Sequence, residues 1–125
     1  MNIPNTLKYT NSHEWCKVDG KVATVGLSDF AQSELGDIVF LSLPAVGTEI
    51  KAGGTLLTIE AVKTVADMYA PVSGKIVEAN VALDGDPQKI NQDCYGEGWI
   101  VKIEMSDPSE VGKLLDASAY EGILH

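Results

Sequence analysis

Cysteine and positive charge are scarce in this chain. Its two cysteines, Cys16 and Cys94, lie far apart and neither sits in a Cys-x-x-Cys pair, so a disulfide framework is excluded. Free thiols in a reducing compartment are the simplest expectation, with a single bridge as the alternative. Lys plus Arg total 9 against 18 Asp plus Glu, a formal net charge of -9. Phosphate backbones and anionic lipid repel such a chain, which argues against nucleic acid and membrane surfaces as partners. The acidity either serves solubility alone or suits a protein partner with a basic docking face. The first residues, Met-Asn-Ile-Pro-Asn-Thr, lack a basic region before an apolar run and are not Arg-rich, unlike secretory or transit signals. No stretch approaches the roughly 20 apolar residues that span a bilayer. A soluble, cytoplasmic protein is expected.

Catalytic machinery is missing too. There is no nucleophile–base pair, no phosphate-cradling glycine loop and no metal-ligand cluster; Gly53-Gly54 is a turn signal only. His13-x-x-Cys16 invites a metal reading, but structural zinc takes four ligands. The chain offers two His and two Cys, with His125 at the end and Cys94 distant. No metal site is expected, and His13 is assigned to supporting the turn at Glu14-Trp15. Trp15, Trp99 and Phe40 are expected to pack the core or line a cleft.

What the chain does have is a pattern of short strands. Its 125 residues, 45% hydrophobic and 22% charged, suit one domain over 1–125 with an ordinary core. Asp19-Gly20 between Trp15–Val18 and Lys21–Leu27 predicts a hairpin. Ser28 caps a short helix near 29–35 that Gly36 ends. Ile38–Leu43 reads as a buried strand stopped by Pro44. Thr55–Ile59, Val65–Tyr69, Lys75–Ala79 and Trp99–Ile103 read as further strands, with Gly47, Gly53-Gly54, Pro71, Gly74 and Asp84-Gly85-Asp86-Pro87 between them. Frequent turns between short strands indicate a barrel or sandwich. Pro44-Ala45-Val46-Gly47 and Pro71-Val72-Ser73-Gly74 share a Pro-x-x-Gly echo, which a pseudo-twofold or chance would produce. Asp107, Pro108 and Glu110 form a helix-start signature with a capping box, leading to a C-terminal helix. Asp116 or Ser118 then starts a second turn carrying Tyr120 and Ile123.

Lys63 stands between two of these strands, at a hairpin tip among Ala61, Val62, Thr64, Val65 and Ala66. Taken alone it is an ordinary surface lysine. Its neighbours change that reading. Glu60-Ala61-Val62-Lys63, followed by Asp67-Met68-Tyr69-Ala70-Pro71-Val72-Ser73-Gly74, resembles the lipoyl-attachment region of glycine cleavage H proteins. Ser12-His13-Glu14-Trp15, Gly36-Asp37-Ile38-Val39-Phe40, Leu43-Pro44, Asn91, Tyr95, Gly98-Trp99 and Leu114-Leu115-Asp116-Ala117 extend the resemblance, in order, over nearly the whole chain. One departure is Ala61, where the family usually has Ser, which bears on the fit to the lipoylating enzyme. Biotinyl domains flank their lysine with Met, unlike Val62 and Thr64. Lipoyl domains of 2-oxo acid dehydrogenases usually place Asp before it, and they lack the His-Glu-Trp block and the helical tail.

The resemblance implies a mainly β fold, a flattened barrel/sandwich hybrid of the lipoyl/biotinyl-carrier type. It implies lipoate joined covalently to Lys63, with Glu60 and Val62 read by the lipoyl-transferring enzyme. It further implies a non-catalytic carrier of the aminomethyl group from glycine decarboxylase (P protein) to the aminomethyltransferase (T protein), and of electrons to dihydrolipoyl dehydrogenase (L protein). Ser12, Glu14 and Asp67 are mapped onto the cleft that shelters the loaded arm, where carboxylates suit a protonated amine. A monomer is expected. A lipoate relay to other enzymes is the alternative function and also needs Lys63.

Overall fold

The computed structural model describes residues 2–124, so His125 lies outside the described residues. Two antiparallel sheets carry the architecture. The first has six strands in the order β1-β2-β3-β9-β8-β5, where β1 is Lys8–Tyr9, β2 Glu14–Asp19, β3 Val22–Leu27, β5 Glu49–Ile50, β8 Gly74–Ala79 and β9 Val101–Met105. The second has three, β4-β6-β7, where β4 is Ile38–Leu41, β6 Thr55–Ala61 and β7 Val65–Tyr69. The sheets do not close into a barrel, in keeping with a flattened barrel/sandwich. Helix α1 (Asp29–Leu35) joins β3 to β4, short helices α2 (Ala82–Gly85) and α3 (Lys89–Gln92) join β8 to β9, and α4 (Ala117–Ile123) ends the described chain. No helix among the described residues is long and apolar enough to cross a membrane.

Strand alternation builds the core. Val25, Ile38, Ile59, Met68, Ile76 and Ile103 point inward from both sheets and are almost wholly buried, each contributing about 1.5–3 kcal/mol by leaving water. A second cluster gathers Leu7, Tyr9, Trp15 and Tyr120 under α4, with the Tyr9 and Tyr120 rings stacked at 4.5 Å.

Local expectations are met in kind, with shifts that have causes. In the first hairpin Asp19 pairs with Val22, so the turn is Gly20-Lys21, with Gly20 at φ 63°. A two-residue turn with glycine first matches the strand twist, and the signal lies one residue later than Asp19-Gly20. Ser28 caps α1 by accepting from the Ala31 amide, and Gly36 ends it at φ 75°. The Ile38–Leu43 strand is shorter and less buried than expected. A bulge between Ile38 and Phe40 leaves both Val39 and Phe40 exposed on an edge strand, so Phe40 belongs to neither core nor cleft. The last strand begins at Val101, because the Trp99 carbonyl is taken by the Asn80 side chain. At the C-terminus Asp107 caps a 3-10 helix, Pro108–Lys113, by accepting from the Ser109 amide. The expected capping box does not form, since Glu110 accepts instead from the Ser73 amide and hydroxyl at 2.8 and 3.0 Å. Asp116, not Ser118, caps α4. The two Pro-x-x-Gly segments come together where β5 pairs with β8, with the Gly47 amide donating to the Ile76 carbonyl at 2.8 Å.

Candidate functional site

The β6–β7 hairpin closes at Val62-Lys63-Thr64. The Ala61 amide donates to the Thr64 carbonyl at 2.8 Å, and the Val62 amide to the Asp37 carbonyl at 3.0 Å. That second bond ties the tip to the start of β4. Asn91 fixes the support in turn: its Nδ2 donates to the Gly36 carbonyl (2.8 Å) and Gln32 Oε1 (3.1 Å), while its Oδ1 accepts from the Ile38 amide at 3.0 Å. Lys63 itself is exposed and belongs to none of the three ion pairs among the described residues. Its stem lies over Gly36, where a β-carbon would sit 3.8 Å from Lys63 Cε. The result is a held backbone carrying a free primary amine. The amine is long and flexible, and no neighbouring carboxylate engages it.

From the tip, β7 sends Val65, Asp67 and Tyr69 outward and Met68 inward. Glu60 faces outward beside Val65. Asp67 is exposed, and its Oδ1 accepts from the Thr58 hydroxyl at 3.2 Å. At the far end of β7 lies a cleft of about 270 Å³, lined by Ser12, Glu14, Tyr69, Pro71 and Leu114 among others. Glu14 is its buried acid, 1% exposed. One carboxylate oxygen accepts from the Thr10 and Ser12 hydroxyls, both at 2.6 Å, and the other from the Tyr69 amide at 3.3 Å. Burial pushes the Glu14 carboxyl above its ordinary range, opposed by those hydrogen bonds. The structure therefore brings Ser12 and Glu14 together in one cleft. Asp67 stands outside it, between the cleft and Lys63.

The His-Glu-Trp run has three separate tasks. His13 takes a left-handed φ of 75°, a costly conformation for a side-chain-bearing residue, and its Nδ1 lies 2.9 Å from the Tyr120 hydroxyl. That hydroxyl also meets Ser28 Oγ at 2.6 Å, so one network locks α4, the cap of α1 and the turn before β2. Burial lowers the His13 pKa, favouring the neutral ring within this network. Trp15 is buried and donates from Nε1 to the Cys94 carbonyl at 2.8 Å. Glu14, between these two anchors, is aimed into the cleft. Thr10, Tyr69 and Asn91 support the site without any local pattern announcing it; their roles arise from residues far apart in the chain. Cys16 and Cys94 are free and buried, with both thiols pushed up to about 12 by burial. Their reactive thiolate forms are suppressed, and no bridge joins them.

Comparison with known proteins gives the family. The family model "Glycine cleavage H-protein" matches residues 7–125. The glycine cleavage system H protein of Bacteroides thetaiotaomicron is 50% identical over 125 residues, covering 100% of this chain and 99% of that protein. That of Chlorobium limicola is 55% identical over 126 residues, covering 99% and 98%. The crystal structure of a glycine cleavage system H protein from Mycobacterium marinum superposes with a TM-score of 0.88 at 41% identity, covering 96% of this chain and 97% of that one. The chain belongs to the glycine cleavage H-protein family.

Proposed function

We propose that Lys63 is the residue that bears the lipoyl group, and that Glu14 with Ser12 forms the seat for its amine cargo. H proteins carry covalent lipoate on a lysine and are carriers, not catalysts; they work with the P, T and L proteins of the glycine cleavage system. The observation that supports Lys63 is its place: an exposed, unpaired amine at a tip whose backbone is pinned by Asp37 and Asn91. When bound, lipoate supplies reversible thiol–disulfide chemistry and a sulfur to which a one-carbon amine attaches. The chain's own residues do the rest. Lys63 offers the point of attachment, with Glu60 and Val62 beside it for the modifying enzyme. Asp67 lies along the outward face of β7, on the way from the tip to the cleft. Glu14 offers a carboxylate oriented by two hydroxyls and an amide; Lys113 also lines the cleft but forms none of the described ion pairs. A protonated amine completes that set, beside the apolar side chains of Pro71 and Leu114. The chain acts as one lipoyl-carrier domain, in the cytoplasm.

The test is intact mass before and after incubation with a lipoyl-transferring enzyme and activated lipoate, followed by peptide mapping. The expected result is one added lipoyl group on Lys63 and none on the other lysines. Modification elsewhere, or none while a control acceptor is modified, removes the assignment.

Glu14→Gln tests the seat. Glutamine keeps the shape and loses the charge. A charge-assisted hydrogen bond contributes about 1.5–3 kcal/mol, so retention of the amine by the lipoylated protein shortens about tenfold or more. Stability moves the other way. Because the folded-state pKa of Glu14 is raised, its contribution is complete below the unfolded value and is lost as pH rises through the folded one. Glu14→Gln is therefore expected to melt above wild type at pH 8, with the gap closing toward pH 4.5. A gap that widens in acid contradicts this assignment of the buried charge.

A further inference from the structure

Helix α4 grips the cleft from two sides. On one side the Tyr120 ring stacks on Tyr9 at 4.5 Å, with 4° between the planes, and Tyr9 lines the cleft. On the other, the Tyr120 hydroxyl lies 2.9 Å from His13 Nδ1 and 2.6 Å from Ser28 Oγ. Tyr120 and Ser28 are fully buried, so each hydroxyl hydrogen needs an acceptor. Ser28 Oγ accepts from the Ala31 amide at 3.2 Å, and Tyr120 is the one acceptor open to it among the described residues. The Ser28 hydrogen therefore goes to the Tyr120 oxygen, and the Tyr120 hydrogen goes on to His13 Nδ1. This chain of bonds ends on a neutral imidazole with its hydrogen on Nε2. A proton on Nδ1 would reverse the chain and leave the Ser28 hydrogen buried without a partner, which is costly.

His13 is also the hinge of the seat. It holds a left-handed φ of 75°. Its amide donates to the Thr10 carbonyl at 3.2 Å, and its carbonyl accepts from the Ser28 amide at 3.0 Å. These bonds close the turn over 10–13. Thr10 and Ser12, whose hydroxyls orient the Glu14 carboxylate, both stand in that turn. The left-handed backbone is unfavourable for a residue with a ring and persists because its surroundings hold it. We propose that Tyr120 is a positioning residue for the amine seat: acting through the His13 ring, it holds the turn that aims Ser12 and Glu14 into the cleft. This deepens the reading of Glu14 as the seat and rests on it. A pH dependence follows. Burial lowers the His13 pKa, and Glu34 of α1 raises it by less. The Phe30 ring, 4.6 Å away, carries no charge. Tyr120 stays neutral because burial raises its own pKa, with Glu14 adding in the same direction. The unfolded chain takes the His13 proton at a higher pH than the folded one. The latch therefore contributes in full above the ordinary histidine value and is lost as pH falls from there through the folded value.

The test follows loss of the aminomethyl group by intact mass. Lipoylated protein is loaded from glycine by glycine decarboxylase, separated from it, and held well below its melting temperature at pH 8 and at pH 5.5. Tyr120→Phe keeps the stack on Tyr9 and removes only the hydroxyl. It is expected to shorten retention about three- to tenfold at pH 8, the effect of one hydrogen bond, while Lys63 is lipoylated at the wild-type rate. His13→Ala is expected to shorten retention at least as much. His13→Asn is the conservative rescue. Asparagine tolerates the left-handed backbone, offers Oδ1 as an acceptor in place of Nδ1, and takes up no proton. It is expected to recover most of the wild-type retention at pH 8 and to lose less than wild type on going to pH 5.5. Titration of Glu14 is common to both proteins and cancels. Nitrogen NMR of the wild-type His13 ring is expected to place its hydrogen on Nε2. Wild-type retention in folded Tyr120→Phe overturns the inference, as does a ring hydrogen on Nδ1, or an acid loss in His13→Asn equal to that of wild type. Should Tyr120→Phe unfold, His13→Asn and the ring NMR decide. Retention that Glu14→Gln leaves unchanged fails the seat itself instead, so the two failures are told apart.

Discussion

Lys63→Arg is expected to be folded, monodisperse and wholly inactive as a carrier. Arginine preserves the charge and the aliphatic stem, but its guanidinium stays protonated and is not a nucleophile at neutral pH. No amide can form, so intact mass after treatment with the lipoyl-transferring enzyme is unchanged and coupling to glycine decarboxylation is lost. Stability is expected within about 0.5 kcal/mol of wild type, because Lys63 is exposed and joins no ion pair among the described residues. Normal carrier function of the variant would instead indicate a pure interaction module. The same variant cannot separate glycine cleavage from a lipoate relay, since under the proposed assignment both need Lys63. Those are separated by comparing, for the lipoylated wild type, support of glycine decarboxylation with transfer of lipoyl to an apo acceptor.

How much of this was legible in the sequence depends on the range of the interaction. Lys63 at a tip, the Ser28 cap, Gly36 as helix stop and the Asp116 cap are local, and their signals lie within a few residues of their effects. Glu110 shows the limit. Its spacing from Asp107 satisfied a local rule, yet Ser73 offered two donors from 37 residues away and took the carboxylate. Phe40 shows the same limit for burial. Four apolar residues in succession read as a buried strand, and a bulge set by pairing with β6 turned two of them to solvent. Glu14 was readable only by resemblance, because its hydroxyl partners are local but the strand end that completes the cleft, Tyr69, is 55 residues on. Asp67 was grouped with the cleft on the same resemblance; it shares the outward face of β7 with the cleft-lining Tyr69, one strand repeat nearer Lys63, and there meets Thr58.

Gly74→Ala is expected to be strongly destabilising. A β-carbon at residue 74 would run into the Glu104 carbonyl oxygen and lie 3.0 Å from Ile103 Cγ2. The obstacle is backbone in a strand held on both sides, with Glu104 opposite Lys75 in β8 and Val22 in β3. It cannot move without breaking ladder bonds, so a cost of about 3–5 kcal/mol is expected, read as a fall in Tm of roughly 10–15 °C. The matching glycine of the Pro-x-x-Gly echo behaves differently. Gly47 has open space around its missing β-carbon but sits at φ 96°, so Gly47→Ala suffers from backbone conformation alone and should cost about 1–2 kcal/mol. Gly122, in α4 with open space and no positive φ, is the control, and alanine there should gain about 0.5–1 kcal/mol. Both glycines of the motif sit at positive φ, and Gly74, at φ 157°, adds the lack of room in β8 that Gly47 does not have. Gly74 lies at the end of the molecule reached after β7 has left the Lys63 tip. Gly74→Ala protein kept folded at low temperature should therefore accept lipoate at the wild-type rate, and a lipoylation defect in that folded protein would mean that the β8–β9 junction and the tip are mechanically coupled through β7.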